Sequence, residues 1–272
     1  MKNKEIALMY SGGLDTTYAA LTLAETFSKV HLLTFCNGVC LRPRASRKHF
    51  SMLREKFGRD KFEHTVIPIA HIFAFLRKNI IKDMLKYRSP LLFDLCCRLS
   101  MEIATILYCM DKRVSYATDG SNPRTQGQMF IQQEGYLKLV DKFFSRYGIE
   151  SVRSYNMLCS RDEIRQRLRD KGINTEVRWL RFLGISTQLF TQPFCLWAPV
   201  AFLFTSATRK IPLIRYFSLS QEKAIIYRME KEKLAQRFIE YLRYNYSLSH
   251  EKNCIKRVSR LFRCMPSTKN EQ

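Results

Sequence analysis

Apolar residues recur along the first part of the chain in short blocks, separated by stretches of mixed polarity. The block 6–10, Ile-Ala-Leu-Met-Tyr, has the pattern of a parallel strand buried on both faces. Further blocks of this kind follow at 30–35, 62–69, 114–118 and 152–155. These blocks predict five strands.

The stretches between the blocks have helical spacing. After the first block, Ala20, Leu23, Ala24 and Phe27 recur at steps of three and four residues and form one apolar face. Further helices are predicted within 41–61, at 71–86, 90–110 and 136–147, and from the capping box of Ser160 and Glu163 to about residue 172. This alternation predicts an α/β fold with a doubly wound, five-stranded parallel sheet in a domain of residues 1–185.

The pattern changes in residues 186–272, which we expect to form a basic, aromatic-rich and mainly helical C-terminal region. Pro193 and Pro199 exclude a regular helix around them, whereas 220–246 predicts a long amphipathic helix. Its basic residues are interleaved with aromatic ones, a pattern that suits phosphate contacts and base stacking. We expect most of the aromatic residues to pack on the core and some of the basic ones to contact RNA.

Charge adds a preference for anionic partners. The chain has 272 residues, of which 46 are Lys or Arg and 24 are Asp or Glu, and its net charge is +22. An excess of this size favours RNA first and an acidic membrane surface second. The alternative is a solvated basic surface without a partner.

The cysteines and the apolar runs indicate the compartment. Nine cysteines without regular spacing do not resemble a disulfide scaffold, and no leader pattern precedes the first strand. The longest apolar run, 194–204, contains Pro199 and is shorter than the roughly 20 residues that a membrane span needs. We therefore expect a cytoplasmic protein without a membrane segment.

The sharpest local signal is the turn after the first strand. Gly12 and Gly13 let the backbone bend tightly and approach a ligand, and the following helix directs the positive end of its dipole to the same place. Ser11, Thr16 and Thr17 offer hydroxyl groups, and Asp15 offers a carboxylate for Mg²⁺. The loop therefore predicts a phosphate site; the alternative is a plain strand-to-helix turn.

This loop lacks the Gly-Lys-Ser/Thr ending of a Walker A loop and the third glycine of a dinucleotide fingerprint. It resembles the signature Ser-Gly-Gly-x-Asp-Ser/Thr of the PP-loop ATP pyrophosphatases, matched here by Ser11-Gly12-Gly13-Leu14-Asp15-Thr16. Argininosuccinate, NAD, GMP and 7-cyano-7-deazaguanine synthases and tRNA-thiolating enzymes share that signature. The resemblance implies that ATP is split to AMP and pyrophosphate and that AMP is passed to a substrate oxygen, with Asp15 catalytic.

Two other turns complete the predicted ATP and Mg²⁺ site. The second strand ends at Phe35 and Cys36, where the resemblance places the adenine. The fourth strand ends in Asp119, Gly120 and Asn122. The resemblance places this turn at the nucleotide and substrate, with Asp119 as a second magnesium ligand; an Asx turn is the equal alternative. The residues assigned to the nucleotide are Tyr10, Ser11, Gly12, Gly13, Leu14, Asp15, Thr16, Thr17, Phe35, Cys36, Asp119, Gly120 and Asn122.

The resemblance makes cysteines candidates for a second, sulfur-handling step, because thiolating members of the family use a cysteine persulfide, a pair of cysteines or three cysteines around an iron–sulfur cluster. Cys36 and Cys40 adjoin the predicted nucleotide site, and Cys159 and Cys195 belong to segments that reach the same sheet edge. We assign Cys36 and Cys195 as catalytic, and we expect the positive surroundings to lower the pKa of such thiols. Adjacent Cys96 and Cys97 fit buried small residues in a helix. The sequence contains no Cys-x-x-Cys, so the zinc ribbons of some thiolating members are missing.

These observations favour a PP-loop enzyme that adenylates a tRNA base for thiolation. One alternative is an AMP-forming ligase acting on a small, acidic metabolite, and another is a non-catalytic nucleotide- or RNA-binding module. Either enzyme needs a source of sulfur or nitrogen, for which free ammonia and a separate donor protein are the alternatives.

Overall fold

The computed structural model of the protein describes residues 4–42, 45–121, 131, 133–153, 160–174, 194–197 and 217–247, with side chains of the last helix through residue 244. The strands in chain order are β1 (Glu5–Met9), β2 (Lys29–Cys36), β3 (Cys40–Leu41), β4 (Phe62–Pro68), β5 (Tyr116–Asp119), β6 (Glu150–Ser151) and β7 (Phe194–Cys195). The helices are α1 (Leu14–Thr26), α2 (Arg47–Phe57), α3 (Ala70–Leu76), α4 (Ile80–Tyr87), α5 (Leu92–Lys112), α6 (Glu134–Ser145), α7 (Arg161–Asp170) and α8 (Gln221–Ser247).

Five strands form one all-parallel sheet in the order β4-β2-β1-β5-β6. The chain starts in the middle of the sheet, builds outward through β2 and β4, and then returns to the other side of β1 with β5. The switch in direction therefore lies between β1 and β5. In open parallel sheets, ligands bind in the crevice outside the carboxyl ends of the strands at such a switch point.

Each face of the sheet carries its own apolar core, so the predicted doubly wound architecture is confirmed. Successive residues of β1 point to opposite faces: Ile6 and Leu8 join a cluster with α1, α2 and α7, whereas Ala7 and Met9 join a cluster with α3, α5, α6 and α8. Both sets of residues are buried. A strand that is covered on both faces reads as a continuous apolar run, which is the pattern that the sequence shows.

The C-terminal helix α8 packs on this second core. Tyr227 and Phe238 are buried in the same cluster as α3 and α5, while Tyr241 and Tyr244 are exposed. The prediction that the aromatic residues of this helix mostly dock is confirmed for Tyr227 and Phe238. The predicted domain boundary at residue 185 lies outside the described residues. Within the described part of the chain, no helix combines the length and apolarity that a membrane crossing requires.

Some elements differ from the sequence prediction. The helix predicted at 71–86 is two helices, because residues 77–79 form a turn in which the Ile80 N–H donates to the Arg77 carbonyl. The fifth strand of the sheet lies at Glu150–Ser151, just before the predicted block. The antiparallel pair of β3 and β7, which joins Cys40 to Cys195 and Leu41 to Phe194, was not predicted.

Candidate functional site

The loop between β1 and α1 leaves the start of the helix open. Gly12 adopts a positive φ of 77°, which a residue with a side chain rarely does. Gly13 is the N-cap of α1 and provides no side-chain cap. The first-turn amides of a helix have no partner within the helix, so a glycine cap leaves them available to an anion.

A buried histidine fixes the orientation of this loop. The Nδ1–H of His49, from α2, donates to the Gly12 carbonyl oxygen at 2.7 Å, and burial lowers the pKa of this histidine. Since the carbonyl of a trans peptide points opposite to the following N–H, the Gly13 amide is turned away from His49. That amide donates to Ser11 Oγ at 3.2 Å.

The hydroxyl groups of the loop divide into two sets. Ser11 Oγ lies 3.1 Å from Thr16 Oγ1, and the Thr16 hydroxyl donates to the Gly13 carbonyl, on the accessible side of the loop. Thr17 is completely buried and lies 3.4 Å from the Tyr10 hydroxyl, which is also buried. The assignment of the Tyr10 and Thr17 side chains to the nucleotide is therefore corrected, because they support the loop from behind.

Leu14 and Asp15 are half-buried in the first turn of α1. Leu14 packs against the apolar cluster below α1, so its side chain anchors the turn. An acidic side chain in the first turn is also favourable for the helix dipole. The contact of Asp15 with magnesium stays a prediction.

The turn after β5 packs directly on this loop, as the sequence predicted. A Cβ built on Gly120 would lie 2.2 Å from Thr16 Cγ2 and 3.2 Å from Thr16 Cα. Distances below 3.0 Å do not occur between real atoms of this kind, so only glycine permits the approach. The two loops that flank the switch point are thus in contact.

Asp119 is held by cations of the protein itself. Its Oδ2 accepts from Arg98 Nη2, its Oδ1 lies 3.7 Å from Arg153 Nη1, and the Ser121 N–H donates to Oδ1 at 3.1 Å in an Asx turn. Burial alone would raise the pKa of Asp119, but Arg98 and Arg153 outweigh it and lower the pKa to about 2. A carboxylate engaged in this way does not fit a magnesium ligand. The Asx turn is therefore the better interpretation of Asp119.

Two further residues that were assigned to the nucleotide from the sequence lie at the end of β2. Phe35 and Cys36 are half-buried there, next to the loop after β1, since β1 and β2 pair in register from Glu5 and Lys29 to Met9 and Leu33. Their position at the sheet edge is confirmed, and their contact with adenine stays a prediction. Asn122 and Cys159 lie outside the described residues.

Four cysteines converge beyond β2, and we call Cys36, Cys40, Cys97 and Cys195 the thiol cluster. Cys40 Sγ lies 3.2 Å from Cys36 Sγ, and Cys40 pairs with Cys195 in the ladder of β3 and β7. Asn37 stands among them. Its Nδ2 donates to Cys97 Sγ at 3.2 Å and to Cys195 Sγ at 3.8 Å, while its Oδ1 accepts from the Val39 N–H.

The thiols of this cluster are reduced and two of them are hard to ionise. Burial and the hydrogen bond with Cys36 raise the pKa of Cys40 to about 11. Burial and the charge of Asp94 raise the pKa of Cys97. For Cys40 the direction is opposite to that expected from the basic composition, because the Lys and Arg excess lies on the surface while the thiol is partly buried. No group of three or more His, Cys, Asp or Glu with metal-site geometry occurs among the described residues.

Sequence reasoning missed His49, Asn37, Arg98 and Arg153, and it treated Cys97 as structural. His49 had a detectable signal, since it lies four residues before Leu53 and therefore on the same buried face of α2. The others depend on contacts between distant segments, and no local pattern indicates them.

The edge of the sheet thus combines a candidate anion site at the switch point with a thiol cluster one strand away. The first suits the phosphates of a nucleotide, and the second suits sulfur or redox chemistry. Both are built from the ends of neighbouring strands, β1 and β2.

Neither a protein-family model nor a curated protein sequence matches the chain. Among solved structures it is similar to a predicted subunit of tRNA methyltransferase from Methanocaldococcus jannaschii, at 14% identity over 71% of this chain and 96% of that one, with a TM-score of 0.42. It is also similar to the U34-tRNA thiolase NcsA from Methanococcus maripaludis, solved with its 4Fe–4S cluster, at 12% identity over 88% of this chain and 74% of that one, with a TM-score of 0.45. The fold assignment rests on the parallel sheet and its strand order.

Proposed function

We propose that this chain is a PP-loop ATP pyrophosphatase that adenylates a carbonyl oxygen of a tRNA base, which sulfur then replaces. The observation that carries the proposal is the position of an uncapped Ser-Gly-Gly loop at the switch point, one strand away from the thiol cluster. The net charge of +22 supports a polyanionic substrate.

In the first step, the base oxygen attacks the α phosphorus of ATP, and pyrophosphate leaves. The amides at the start of α1 and the hydroxyls of Ser11 and Thr16 would hold the departing phosphates, and the helix dipole favours the negative charge there. Asp15, in the first turn of α1, would hold a magnesium ion that supplies positive charge to the same oxygens.

In the second step, sulfur attacks the activated carbon and AMP leaves with the original oxygen. We assign the sulfur to a persulfide on Cys36, loaded by a separate donor protein. Attack by its terminal sulfur joins the base to Cys36 through a disulfide. The Cys40 sulfur, 3.2 Å from Cys36 Sγ, then attacks Cys36 Sγ, and its proton passes to the departing base. The base leaves as the thiocarbonyl, and the Cys36–Cys40 disulfide that remains is reduced by an external dithiol. Cys195, opposite Cys40 in the β3–β7 ladder, is the other candidate carrier.

The decisive experiment incubates the protein with ATP, Mg²⁺, bulk tRNA and a persulfide donor, and measures nucleotides and modified nucleosides by mass spectrometry. We expect AMP and pyrophosphate in equal amounts, together with a thiolated nucleoside, and no AMP from Asp15→Ala. ADP and phosphate as products would contradict the proposal. Pyrophosphate release that depends on a metabolite extract and not on tRNA would establish the small-molecule ligase, and ATP binding without AMP would establish the binding module.

A further inference from the structure

The C-terminal helix contributes a fully buried arginine to the middle of the protein. Arg228 of α8 is 1% exposed, and its Nη2 donates to Glu102 Oε2 of α5 at 2.6 Å. Its Nη1 donates to Glu232 Oε2 at 3.0 Å. Glu102 itself is 0% exposed, so this pair is shielded from water on both sides.

The pair is part of a chain of buried charges that ends at the switch point. The second oxygen of Glu102 accepts from Arg98 Nε at 3.1 Å, and Arg98 Nη2 donates to Asp119 at the end of β5. Positive and negative groups alternate from Glu232 through Arg228, Glu102 and Arg98 to Asp119. This chain of charges thus runs from α8 to the turn that holds Gly120 against Thr16.

Each charge in such a chain depends on its neighbours. A buried carboxylate or guanidinium has lost its hydration, and only its partners compensate for that loss. Glu102 balances Arg98 and Arg228 at once, so its position fixes the direction in which Arg98 reaches Asp119. A displaced Arg98 would release Asp119 and the Asx turn that places Gly120.

Stability alone does not account for this arrangement. Well-packed apolar residues usually stabilise a protein as well as a buried ion pair does, or better, so buried pairs are poor evidence of added stability. Fixed geometry is the property that ionic hydrogen bonds add, because their lengths and directions are narrow.

We propose that Arg228 and Glu102 are positioning residues for the nucleotide site, which act through Arg98 on the turn at Asp119 and Gly120. The helix α8 is then part of the scaffold of the site and not an appendage to it. The effect on turnover rests on the proposed function, whereas the effect on the turn itself does not.

The test compares two double neutralisations on the same helix. Glu102→Gln combined with Arg228→Gln neutralises both members of the central ion pair. Neither outer charge is then left without a partner, because Arg98 keeps Asp119 and Glu232 keeps Arg146. Asp83→Asn with Lys231→Gln removes the matched control pair, in which Lys231 Nζ of α8 lies 2.8 Å from Asp83 Oδ2 of α4. The control also ties α8 to the body of the protein, but it has no link to Asp119 among the contacts described.

Two measurements are made on each variant. Hydrogen exchange of peptides covering 11–17 and 116–121 reports the turn and the loop without any substrate, and steady-state pyrophosphate release reports kcat and KM for ATP. We expect exchange at 116–121 and KM for ATP to rise about tenfold in the first variant, within the range of measured couplings between linked sites. In the control double variant, the exchange at 116–121 and KM for ATP should each change by less than about twofold, although its unfolding temperature falls by a similar amount.

Equal changes in both double variants, or unchanged exchange at 116–121 in the first, would overturn the positioning role. Arg228→Lys provides the second variant if the first does not fold. It keeps the charge but cannot bond Glu102 and Glu232 through a planar fork, so we expect an intermediate change in the same two readouts. If the wild-type protein releases no pyrophosphate, the proposed function fails, and the exchange data still decide whether Arg228 and Glu102 position the turn.

Discussion

Gly120 and Thr16 are in such close contact that a Cβ at position 120 would lie 2.2 Å from Thr16 Cγ2. This contact joins the turn after β5 to the loop after β1, the two segments on either side of the switch point. It therefore fixes the separation of the two segments between which a nucleotide at the switch point would bind.

We expect Gly120→Ala to move the turn after β5 away from the loop after β1. The added methyl group pushes the turn away from Thr16, at a cost of about 1–3 kcal/mol in the free energy of unfolding, as for other overpacked sites. Thr16→Ser removes Cγ2 and keeps the hydroxyl. Combined with Gly120→Ala, it should therefore restore part of the lost free energy of unfolding. Gly135→Ala is the control, because its nearest neighbour is the end of the flexible Gln221 side chain. ATP affinity from calorimetry and urea unfolding measure the effects; an unchanged ATP affinity in Gly120→Ala would contradict the role of the contact.

The thiol cluster gives a prediction that separates the two chemical steps. We expect Cys36→Ser to lower the yield of thiolated nucleoside at least about a hundredfold, while tRNA-dependent pyrophosphate release stays within about threefold of wild type, since the oxygen of serine cannot carry a persulfide. Cys40→Ser should block the release of the thiocarbonyl and trap the base on Cys36, which denaturing gels without reductant would detect.

Cys109→Ser is the matched control for these variants. Cys109 lies on α5 like Cys97, but it is buried in the apolar core, and burial raises its pKa to about 12. Full thiolation by Cys36→Ser would rule out Cys36 as the carrier and transfer the assignment to Cys195.

The parts of this protein that were predicted from its sequence are the local ones. The strand β1, its glycine turn and α1 are contiguous, and both the apolar run and the glycine pair are direct consequences of burial and of a tight bend. The capping box of α7 is confirmed for the same reason, since Ser160 and Glu163 bond each other's backbone within one turn.

Contacts between distant segments were not predictable. The ladder of β3 and β7 has two residues in each strand, too few for any periodicity. No local pattern therefore predicted that Cys40 would pair with Cys195. In α8, Arg228 and Glu232 fall on the same face as buried Ala224, Ala235 and Phe238. Their place on that face was visible in the sequence, but in so basic a region they resemble surface charges. Their burial is explained by partners outside α8, Glu102 for Arg228 and Arg146 for Glu232.

A histidine next to the loop predicts a pH dependence of stability. Burial, followed by the charge of Arg47, lowers the pKa of His64 to about 4. His64 Nε2 lies 2.9 Å from Thr34 Oγ1, and the Thr34 hydroxyl donates to the Tyr10 carbonyl at the start of the loop. The unfolded chain binds a proton at this residue below about pH 6.5, whereas the folded protein does so only near pH 4. The contribution of neutral His64 is therefore complete above pH 6.5 and is lost as the pH falls toward 4.

We expect His64→Gln to be less stable than wild type at pH 7, and the difference to shrink by about 1–2 kcal/mol at pH 4.5, with allowance for the partial exposure of the ring. Urea unfolding at the two pH values measures the difference. A gap between wild type and His64→Gln that widens as the pH falls would have the wrong sign for a buried neutral histidine.

The basic helix beside the loop predicts opposite effects on stability and on RNA binding. Arg47 and Lys48 are exposed in the first turn of α2, which contains no acidic residue. Positive charges at the start of a helix repel its dipole, and the same helix carries His49, which holds the Gly12 carbonyl. Arg47→Gln and Lys48→Gln should therefore each stabilise the free protein by about 0.3–1 kcal/mol.

Each of these two variants should also lower the slope of log K against log salt for tRNA by about 0.7–0.9, the contribution of one phosphate contact. Lys138→Gln, on α6 at the other face of the sheet and paired with Glu134, is the control and should leave the slope unchanged. If Arg47→Gln and Lys48→Gln stabilise the protein but leave the salt slope as it was, the RNA contacts lie elsewhere on the basic surface.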